Sequence, residues 1–176
     1  MLKEATHSDA EQIAQLVNKA YRPEPSERGW THESELVAGR RINTEQVASL
    51  MSKKGSVLVA YEGNELLGCV HIERAHPYCH IGMLATIPSL QNKGLGKKLL
   101  AAAENLAISR YGAQGFKMSV LSSRPELLAY YERRGYRLTG STQPYPAEAG
   151  VGQPLNANLH VLELIKPYHA PGCGNA

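Results

Sequence analysis

The segment Gln91–Lys98 holds the residues of this sequence best suited to binding an anion. Gly94 and Gly96 let backbone N–H groups approach an anion closely, because no Cβ atom stands in the way. A helical pattern follows the segment, so the positive end of the helix dipole points to the same place. Formal positive charge comes from three lysines, Lys93, Lys97 and Lys98. Together these features predict a site for a phosphate or pyrophosphate group.

The spacing of this loop differs from two common phosphate-binding patterns. A Walker loop has four residues between its glycines and a Ser or Thr after its Lys, whereas only Leu95 separates these glycines and Lys98 follows Lys97. A dinucleotide-binding fingerprint needs a third glycine at the position that Leu99 occupies. The loop therefore matches neither pattern.

The net charge of +3 is concentrated in one third of the chain. Residues 91–137 carry nine basic and three acidic side chains, a net of +6, whereas residues 1–90 have a net of −2. A positive block of this kind suggests an anionic ligand, either a nucleic acid or a small phosphate compound. Composition alone does not choose between the two.

The composition of the 176 residues is that of one globular domain with a buried core. We expect this domain to span residues 1–168, followed by a flexible tail at 169–176. The three cysteines, Cys69, Cys79 and Cys173, lack CxxC spacing, which argues against a disulfide scaffold or zinc site and favours a reducing compartment. The histidines also lack metal-ligand spacing, so no metal is expected. Without a membrane-length apolar run or a signal-peptide core, the expected location is cytoplasmic.

Hydrophobic periodicity predicts the elements that hold the loop in place. The chain before the loop is expected to form a strand at 2–5, helices at 9–20, 31–37 and 44–51, and strands at 57–61, 66–73 and 80–86. A hairpin turn is expected at 62–64. The chain after it is expected to form helices at 97–109 and 126–133 and strands at 116–121, 136–138 and 159–164, with a loop at 140–154.

Two motifs resemble those of the GNAT superfamily of N-acetyltransferases. Thr86–Gly96, TIPSLQNKGLG, is similar to its acetyl-CoA signature Q/R-x-x-G-x-G/A, and Leu128–Tyr136, LAYYERRGY, is similar to its later x-x-x-Tyr-x-x-x-Gly-Phe/Tyr segment. The element order is also similar over 2–167. The resemblance implies an α/β (α+β) fold, with a mixed, mostly antiparallel sheet of about seven strands and about four helices. Gly29–Glu33 and the later segment from Gln143–Pro146 to Leu159–His160 resemble a bacterial-type branch whose substrates are mostly unassigned.

The resemblance implies that the chain binds acetyl-CoA as its acetyl donor. The diphosphate would lie on the loop amides, and the pantetheine would pair with the preceding strand like an additional strand. Arg124 stands where many members carry an Asn that contacts the cofactor; it could pair with a phosphate or lie on the surface at a helix start. The implied cofactor residues are Leu84, Ala85, Thr86, Gln91, Asn92, Lys93, Gly94, Leu95, Gly96, Lys97 and Arg124.

Tyr131 matches a tyrosine whose hydroxyl lies near the cofactor sulfur in many members, which implies a general acid for the departing thiolate. A core tyrosine is the alternative. An acceptor amine with a pKa near ~10 must lose a proton before it attacks the thioester. Several members place a Glu that acts as the base at the position where this sequence has Ser119. The chain therefore lacks that base. We expect Glu73 and His80 to act together as the base, the alternative being that each is a partly solvated polar residue on its strand.

Trp30 and Glu33 lie where the family places its substrate-covering helices, so the resemblance implies that they bind the acceptor. Acidic residues there, with the net charge of −2 on residues 1–90, favour a cationic amine. A core tryptophan flanked by solvated carboxylates is the alternative.

The predicted function is N-acetyl transfer from acetyl-CoA to a primary amine of a small molecule or peptide, by direct attack in a ternary complex. A non-catalytic acyl-CoA-binding sensor or regulatory module is the alternative, motivated by Ser119 and Arg124. A nucleic-acid-binding protein is less favoured, because the tyrosines of the basic block belong to the acetyltransferase motif. We expect no nucleic-acid or membrane partner, and a homodimer is compatible with the resemblance.

Overall fold

The computed structural model describes residues 1–23, 32–34, 36–156 and 158–172. Its strands are β1 (Leu2–Glu4), β2 (Val37–Ala38), β3 (Gly55–Glu62), β4 (Glu65–Ala75), β5 (Tyr78–Thr86), β6 (Gly115–Leu121), β7 (Arg137–Pro144), β8 (Gln153–Pro154) and β9 (His160–Pro167). Its α-helices are α1 (Ala10–Tyr21), α2 (Thr44–Leu50), α3 (Leu95–Tyr111) and α4 (Pro125–Glu132).

Seven strands form one sheet in the order β1-β3-β4-β5-β6-β9-β7. Every neighbouring pair is antiparallel except β5 and β6, which run parallel. The mixed, mostly antiparallel sheet and the number of helices implied by the resemblance are therefore confirmed. The remaining strands, β2 and β8, form a separate antiparallel pair.

The alternation of side chains along the central strands divides the core between the two faces of the sheet. Val70 and Ile72 of β4 lie on the face covered by α3, together with Phe116 of β6. Cys69 and Ala85 lie on the opposite face, against α1 and α2. The sheet thus holds α3, which follows the glycine loop, on one side and α1 on the other.

The central strands β5 and β6 separate soon after they meet. They pair only at Cys79 with Phe116 and at His80 with Lys117. Further along, β5 carries a bulge opposite β4, where Met83 has a φ of 48°. The remainder of β5 consequently has no strand partner on its β6 side in the described part of the chain, which leaves a cleft in the middle of the sheet.

Two sequence-based expectations are wrong. Val37 was expected to end a helix, but it lies in β2 and pairs with Pro154 of β8; Thr31, the expected start of that helix, lies outside the described residues. The segment 140–154 was expected to be a loop, but β7 continues through it to Pro144. Pairing with β9 supplies backbone partners that outweigh the weak strand preference of residues such as Gly140.

Candidate active site

The glycine loop forms a cradle of backbone amides at the start of α3. Gly94 precedes the helix with a φ of 83°, a conformation that favours glycine. The Lys98 N–H donates to the Gly94 carbonyl at 3.1 Å, so the N–H groups of Leu95, Gly96 and Lys97 have no carbonyl acceptor within the helix. The Lys93 N–H instead donates to the Leu90 carbonyl at 3.2 Å. Fewer backbone amides are therefore available to an anion than the sequence suggested.

A cavity of about 270 Å³ lies beside this cradle, and we call it the loop cavity. Three basic side chains line it, from Lys97, Arg133 and Arg134, and no acidic side chain does so among the described residues. The Arg134 guanidinium lies 3.5 Å from the centroid of the Tyr130 ring and donates to the Tyr130 carbonyl at 2.6 Å. The lining therefore favours a ligand with several negative charges.

Most of the cofactor residues expected from the sequence line the loop cavity: Leu84, Thr86, Gln91, Asn92, Gly94, Gly96 and Lys97. Ala85, Lys93, Leu95 and Arg124 do not line it. Ala85 is buried on the α1 side of the sheet, because neighbouring residues of a strand point to opposite faces.

Arg124 occupies a buried position at the start of α4. Only 5% of its surface is exposed, so the surface position considered from the sequence is wrong. Its Nε donates to the Glu126 carboxylate at 2.7 Å. Its positive charge also lowers the pKa of Tyr21 and Tyr131, against the larger effect of burial, which raises both. Arg124 therefore acts on the electrostatics of these tyrosines and does not line the loop cavity.

A second cavity, of about 280 Å³, lies where β5 and β6 separate, and we call it the cleft cavity. Its wall includes residues of β5, β6 and α4 and of the segment around Tyr145. Two charged side chains line it within the described residues, those of Glu33 and Arg41.

Four residues line both cavities: Tyr21, Leu84, Leu127 and Tyr131. The Tyr21 hydroxyl donates to the Leu84 carbonyl at 2.6 Å, which ties α1 to β5 at this junction. The Tyr131 ring makes edge-to-face contacts with Tyr130 and Tyr136. Burial raises the pKa of Tyr131 well above its usual value, so its hydroxyl stays protonated at neutral pH. That hydroxyl has no hydrogen-bond partner in the described part of the chain, so the junction contains an available proton donor.

Glu73 and His80 are directly opposite each other on β4 and β5. The His80 Nε2 lies 3.4 Å from the Oγ of Ser119, and Ser119 lines the cleft cavity. Burial lowers the pKa of His80, and the negative charges of Glu73 and Glu163 oppose this shift. His80 is thus neutral at neutral pH and reaches the cavity through Ser119, whereas Glu73 is exposed and lines neither cavity.

Glu33 forms a buried ion pair at the edge of the cleft cavity. The Arg22 guanidinium donates to its carboxylate at 2.9 Å. The same guanidinium also donates to the Tyr145 hydroxyl at 3.3 Å and to the Val151 carbonyl at 3.2 Å. Arg22 therefore holds the end of α1 to Glu33 through the ion pair and to the segment before β8 through the two further hydrogen bonds. Trp30, the other expected acceptor residue, lies outside the described residues.

Sequence reasoning missed many of the residues that line these cavities, among them Tyr21, Arg41, Tyr130, Arg133 and Arg134. A signal existed for the last three, because they belong to the tyrosine motif inside the basic block. Tyr21 and Arg41 had no such signal, since they reach the site only through the fold.

The described residues contain no group of three or more His, Cys, Asp or Glu side chains placed to hold a metal ion. Among the helices of the described segments, none is both long and apolar enough to cross a membrane.

Comparison with known proteins gives one family and a consistent fold. Residues 18–145 match a family model described as an acetyltransferase (GNAT) domain. No curated protein matches the sequence. The solved structure of smu.2055 from Streptococcus mutans UA159 is 19% identical, with a TM-score of 0.71 over 95% of this chain and 98% of that chain.

Two further solved structures belong to proteins described as acetyltransferases. The ribosomal-protein-S18-alanine N-acetyltransferase from Escherichia coli is 14% identical, with a TM-score of 0.70 over 100% of this chain and 98% of that chain. A protein from Bacillus anthracis str. Ames, described as a streptothricin acetyltransferase and solved with acetyl coenzyme A, is 16% identical, with a TM-score of 0.55 over 68% and 65%. At these identities the likeness concerns the fold, and it confirms the fold that the sequence motifs implied.

Proposed function

The chain belongs to the GNAT acetyltransferase family, and on that premise we propose that it transfers the acetyl group of acetyl-CoA to a primary amine of a small molecule or peptide. The observation that carries the proposal is the junction at Tyr131, where the basic loop cavity meets the cleft cavity. One cavity would hold the donor and the other the acceptor, so that both reach the same buried hydroxyl in a ternary complex.

The loop cavity fits the donor in charge and in backbone geometry. The amides of Leu95, Gly96 and Lys97 would bind the diphosphate, with Lys97, Arg133 and Arg134 supplying the counter-charge. The bound group supplies an acetyl thioester. A solved relative of the same fold contains acetyl coenzyme A, which supports this assignment.

The open side of β5 would guide the donor from the cradle to the junction. Leu84 and Thr86 line the loop cavity on this strand, and β6 does not pair with them. A pantetheine arm carries amide groups, which can pair with strand backbone as an additional strand does. Leu84 also lines the cleft cavity, so an arm that follows β5 ends where the acceptor enters.

Tyr131 would act as the general acid. In the reaction the acceptor nitrogen forms a bond to the acetyl carbon, and the bond from that carbon to sulfur breaks. Tyr131 donates its hydroxyl proton to the departing thiolate. Its raised pKa keeps that proton in place until the thiolate forms.

His80 would act as the general base, with Ser119 between it and the acceptor. The Ser119 hydroxyl passes the amine proton to the His80 Nε2, which lies 3.4 Å from it. The charge of Glu73, opposite His80, stabilises the protonated imidazole. The proposed base is therefore still the Glu73–His80 pair expected from the sequence, and His80 is the member that accepts the proton.

Thiol release from acetyl-CoA with the purified protein and a broad panel of amines tests the proposal. We expect release that depends on the amine, and calorimetry is expected to show CoA binding without an amine. Lys97→Ala should weaken CoA binding about tenfold, since a charge-assisted hydrogen bond is worth roughly 1.5 kcal/mol. Lys98→Ala, which removes the same charge outside the loop cavity, is the control.

CoA binding without turnover on any amine would support the non-catalytic acyl-CoA-binding module instead. If Lys97→Ala and Lys98→Ala weaken CoA binding equally, the loop cavity is excluded as the diphosphate site.

A further inference from the structure

The charge on the wall of the cleft cavity differs from the charge that the sequence suggested. Glu33 and Arg41 are its charged lining residues within the described chain. Arg22 already neutralises Glu33, because the two groups lie 2.9 Å apart with side chains only 7% and 11% exposed. The described part of the cavity wall therefore carries the net positive charge of Arg41.

Arg41 is held in position from both its backbone and its side chain. Its N–H donates to the Oδ1 of Asn18 at 2.8 Å, and the same oxygen accepts the N–H of Ile42 at 3.1 Å. Its guanidinium lies 5.9 Å from the centroid of the Tyr21 ring. No carboxylate or hydrogen-bond acceptor pairs with this guanidinium in the described part of the chain, although the side chain is half-buried. Arg41 is thus a positioned cation with no counterion among the described residues.

The position of Arg41 places this charge close to the reacting centre. Tyr21 contacts the Arg41 guanidinium through its ring and the Leu84 carbonyl through its hydroxyl, and both Tyr21 and Leu84 lie at the junction of the two cavities. Arg41 and the junction residues line the same cavity of about 280 Å³, so one small molecule there can contact both.

An unpaired guanidinium on a cavity wall selects against a second cation and in favour of an anion. Its five N–H donors match the oxygens of a carboxylate or phosphate in a two-point contact, and this contact is stronger where water is excluded.

We propose that the acceptor is a small amine that also carries a carboxylate or phosphate group, and that Arg41 binds this anionic group while the amine faces Tyr131. The inference rests on the proposed function and narrows its substrate class. It replaces the cationic amine expected from the acidic residues of the sequence, because Arg22 supplies the positive charge that Glu33 requires.

Paired acceptors test the inference in the thiol-release assay. Each protein amino acid is compared with its carboxamide, and phosphoethanolamine with ethanolamine, so that carboxylate and phosphate are scored separately. We expect the anionic member of the best pair to have a kcat/KM at least tenfold above its neutral partner. Arg41→Ala should lower the kcat/KM of the anionic member at least tenfold more than that of its neutral partner, so that the ratio falls close to one, and Arg41→Lys should restore part of the ratio.

Arg40→Ala is the matched control, because it removes the same charge from an exposed neighbour that lines neither the loop cavity nor the cleft cavity. It is expected to keep the wild-type ratio. A preference for neutral amines or polyamines in the wild type, or an equal loss for both members of each pair in Arg41→Ala, would overturn the inference and leave the proposed function intact.

Direct binding separates the inference from the proposed function. Calorimetry with N-acetyl amino acids and N-acetylphosphoethanolamine, in the presence of CoA, needs no turnover. Binding of either class that is lost in Arg41→Ala and kept in Arg40→Ala supports the inference even if no amine is acetylated. Absence of binding by both classes, together with turnover of neutral amines, rejects it.

Discussion

Tyr131 lies at the junction where both proposed substrates would meet, so removal of its hydroxyl should affect chemistry more than binding. We expect Tyr131→Phe to lower kcat about a hundredfold, the scale of general acid catalysis, with little change in the KM for acetyl-CoA. Steady-state kinetics across pH with a confirmed acceptor measures the effect.

The control for this change is Tyr136→Phe. The Tyr136 ring also contacts Tyr131, but its hydroxyl donates to the Glu104 carboxylate at 2.8 Å, away from both cavities. This variant is expected to lose stability and keep kcat. Full activity of Tyr131→Phe at every pH would show that another group protonates the thiolate.

His80 should set the acidic limb of the pH–rate profile. Burial lowers its pKa, so the limb is expected below the usual histidine value of about 6.5. Glu73 raises the pKa of His80; Glu73→Gln should therefore shift the limb to lower pH with a smaller effect on the maximal rate. His80→Gln should remove the limb and most of the rate. An unchanged limb in His80→Gln would exclude His80 as the base.

At the scale of elements, Arg22 joins the end of α1 to Glu33 through a buried ion pair and to the segment before β8 through hydrogen bonds to Tyr145 and Val151. Arg22→Met leaves the Glu33 charge buried without a partner, which should cost about 3 kcal/mol or more in the free energy of unfolding. The double variant Arg22→Met/Glu33→Leu should lose less than the sum of the single losses. Urea denaturation measures each value.

The exposed pair of Arg110 and Glu4 provides the comparison for this prediction. Both side chains are more than two-fifths exposed, at 44% and 42%. Arg110→Met is therefore expected to cost no more than about 1 kcal/mol. Equal losses for Arg22→Met and Arg110→Met would mean that the buried pair does not hold these segments together.

Elements defined by local signals could be predicted from the sequence, and those defined by distant partners could not. The loop before α3 was predictable because glycine spacing and helical periodicity are local properties. β8 was not, because it exists through pairing with Val37, more than a hundred residues earlier. The same limit applies to the site: the Tyr21 hydroxyl reaches the carbonyl of Leu84, 63 residues later, and nothing in the spacing indicates it.

At the scale of the whole molecule, the net charge of a segment predicted the charge of a cavity only where the charged side chains of that cavity are not neutralised by a partner. Lys97, Arg133 and Arg134 of the +6 block line the loop cavity together. The net charge of −2 on residues 1–90 did not describe the cleft cavity, because Glu33 is paired internally. A cytoplasmic location, the 1–168 domain limit and a homodimer stay predictions.

Global stability should fall in mild acid because of His71. Burial and the charges of His80 and Arg41 lower its pKa to about 4. In the unfolded chain its pKa is about 6.5. Between pH 6.5 and pH 4 the unfolded state therefore binds a proton at His71 that the folded state does not bind. This contribution to stability is complete well above pH 6.5 and decreases as the pH falls toward 4, by a loss on the order of 2 kcal/mol at pH 4.5.

Urea denaturation at pH 7 and pH 4.5 measures this effect as a difference between variants. His71→Gln should lose less stability between the two pH values than the wild type. His169→Gln, at an exposed position, should behave as the wild type does. An acid loss that is equal in all three proteins would assign it to other groups.

The separation of β5 and β6 has a mechanical consequence. With only two residue pairs between them, the seven-stranded sheet consists of two wings, β1-β3-β4-β5 and β6-β9-β7, joined at a narrow hinge beside Cys79 and His80. A ligand wedged against the open side of β5 would brace one wing against the other. We therefore expect donor binding to reduce the motion of the two wings relative to each other. The acceptor would then bind to a more rigid cavity than the one in the protein without donor.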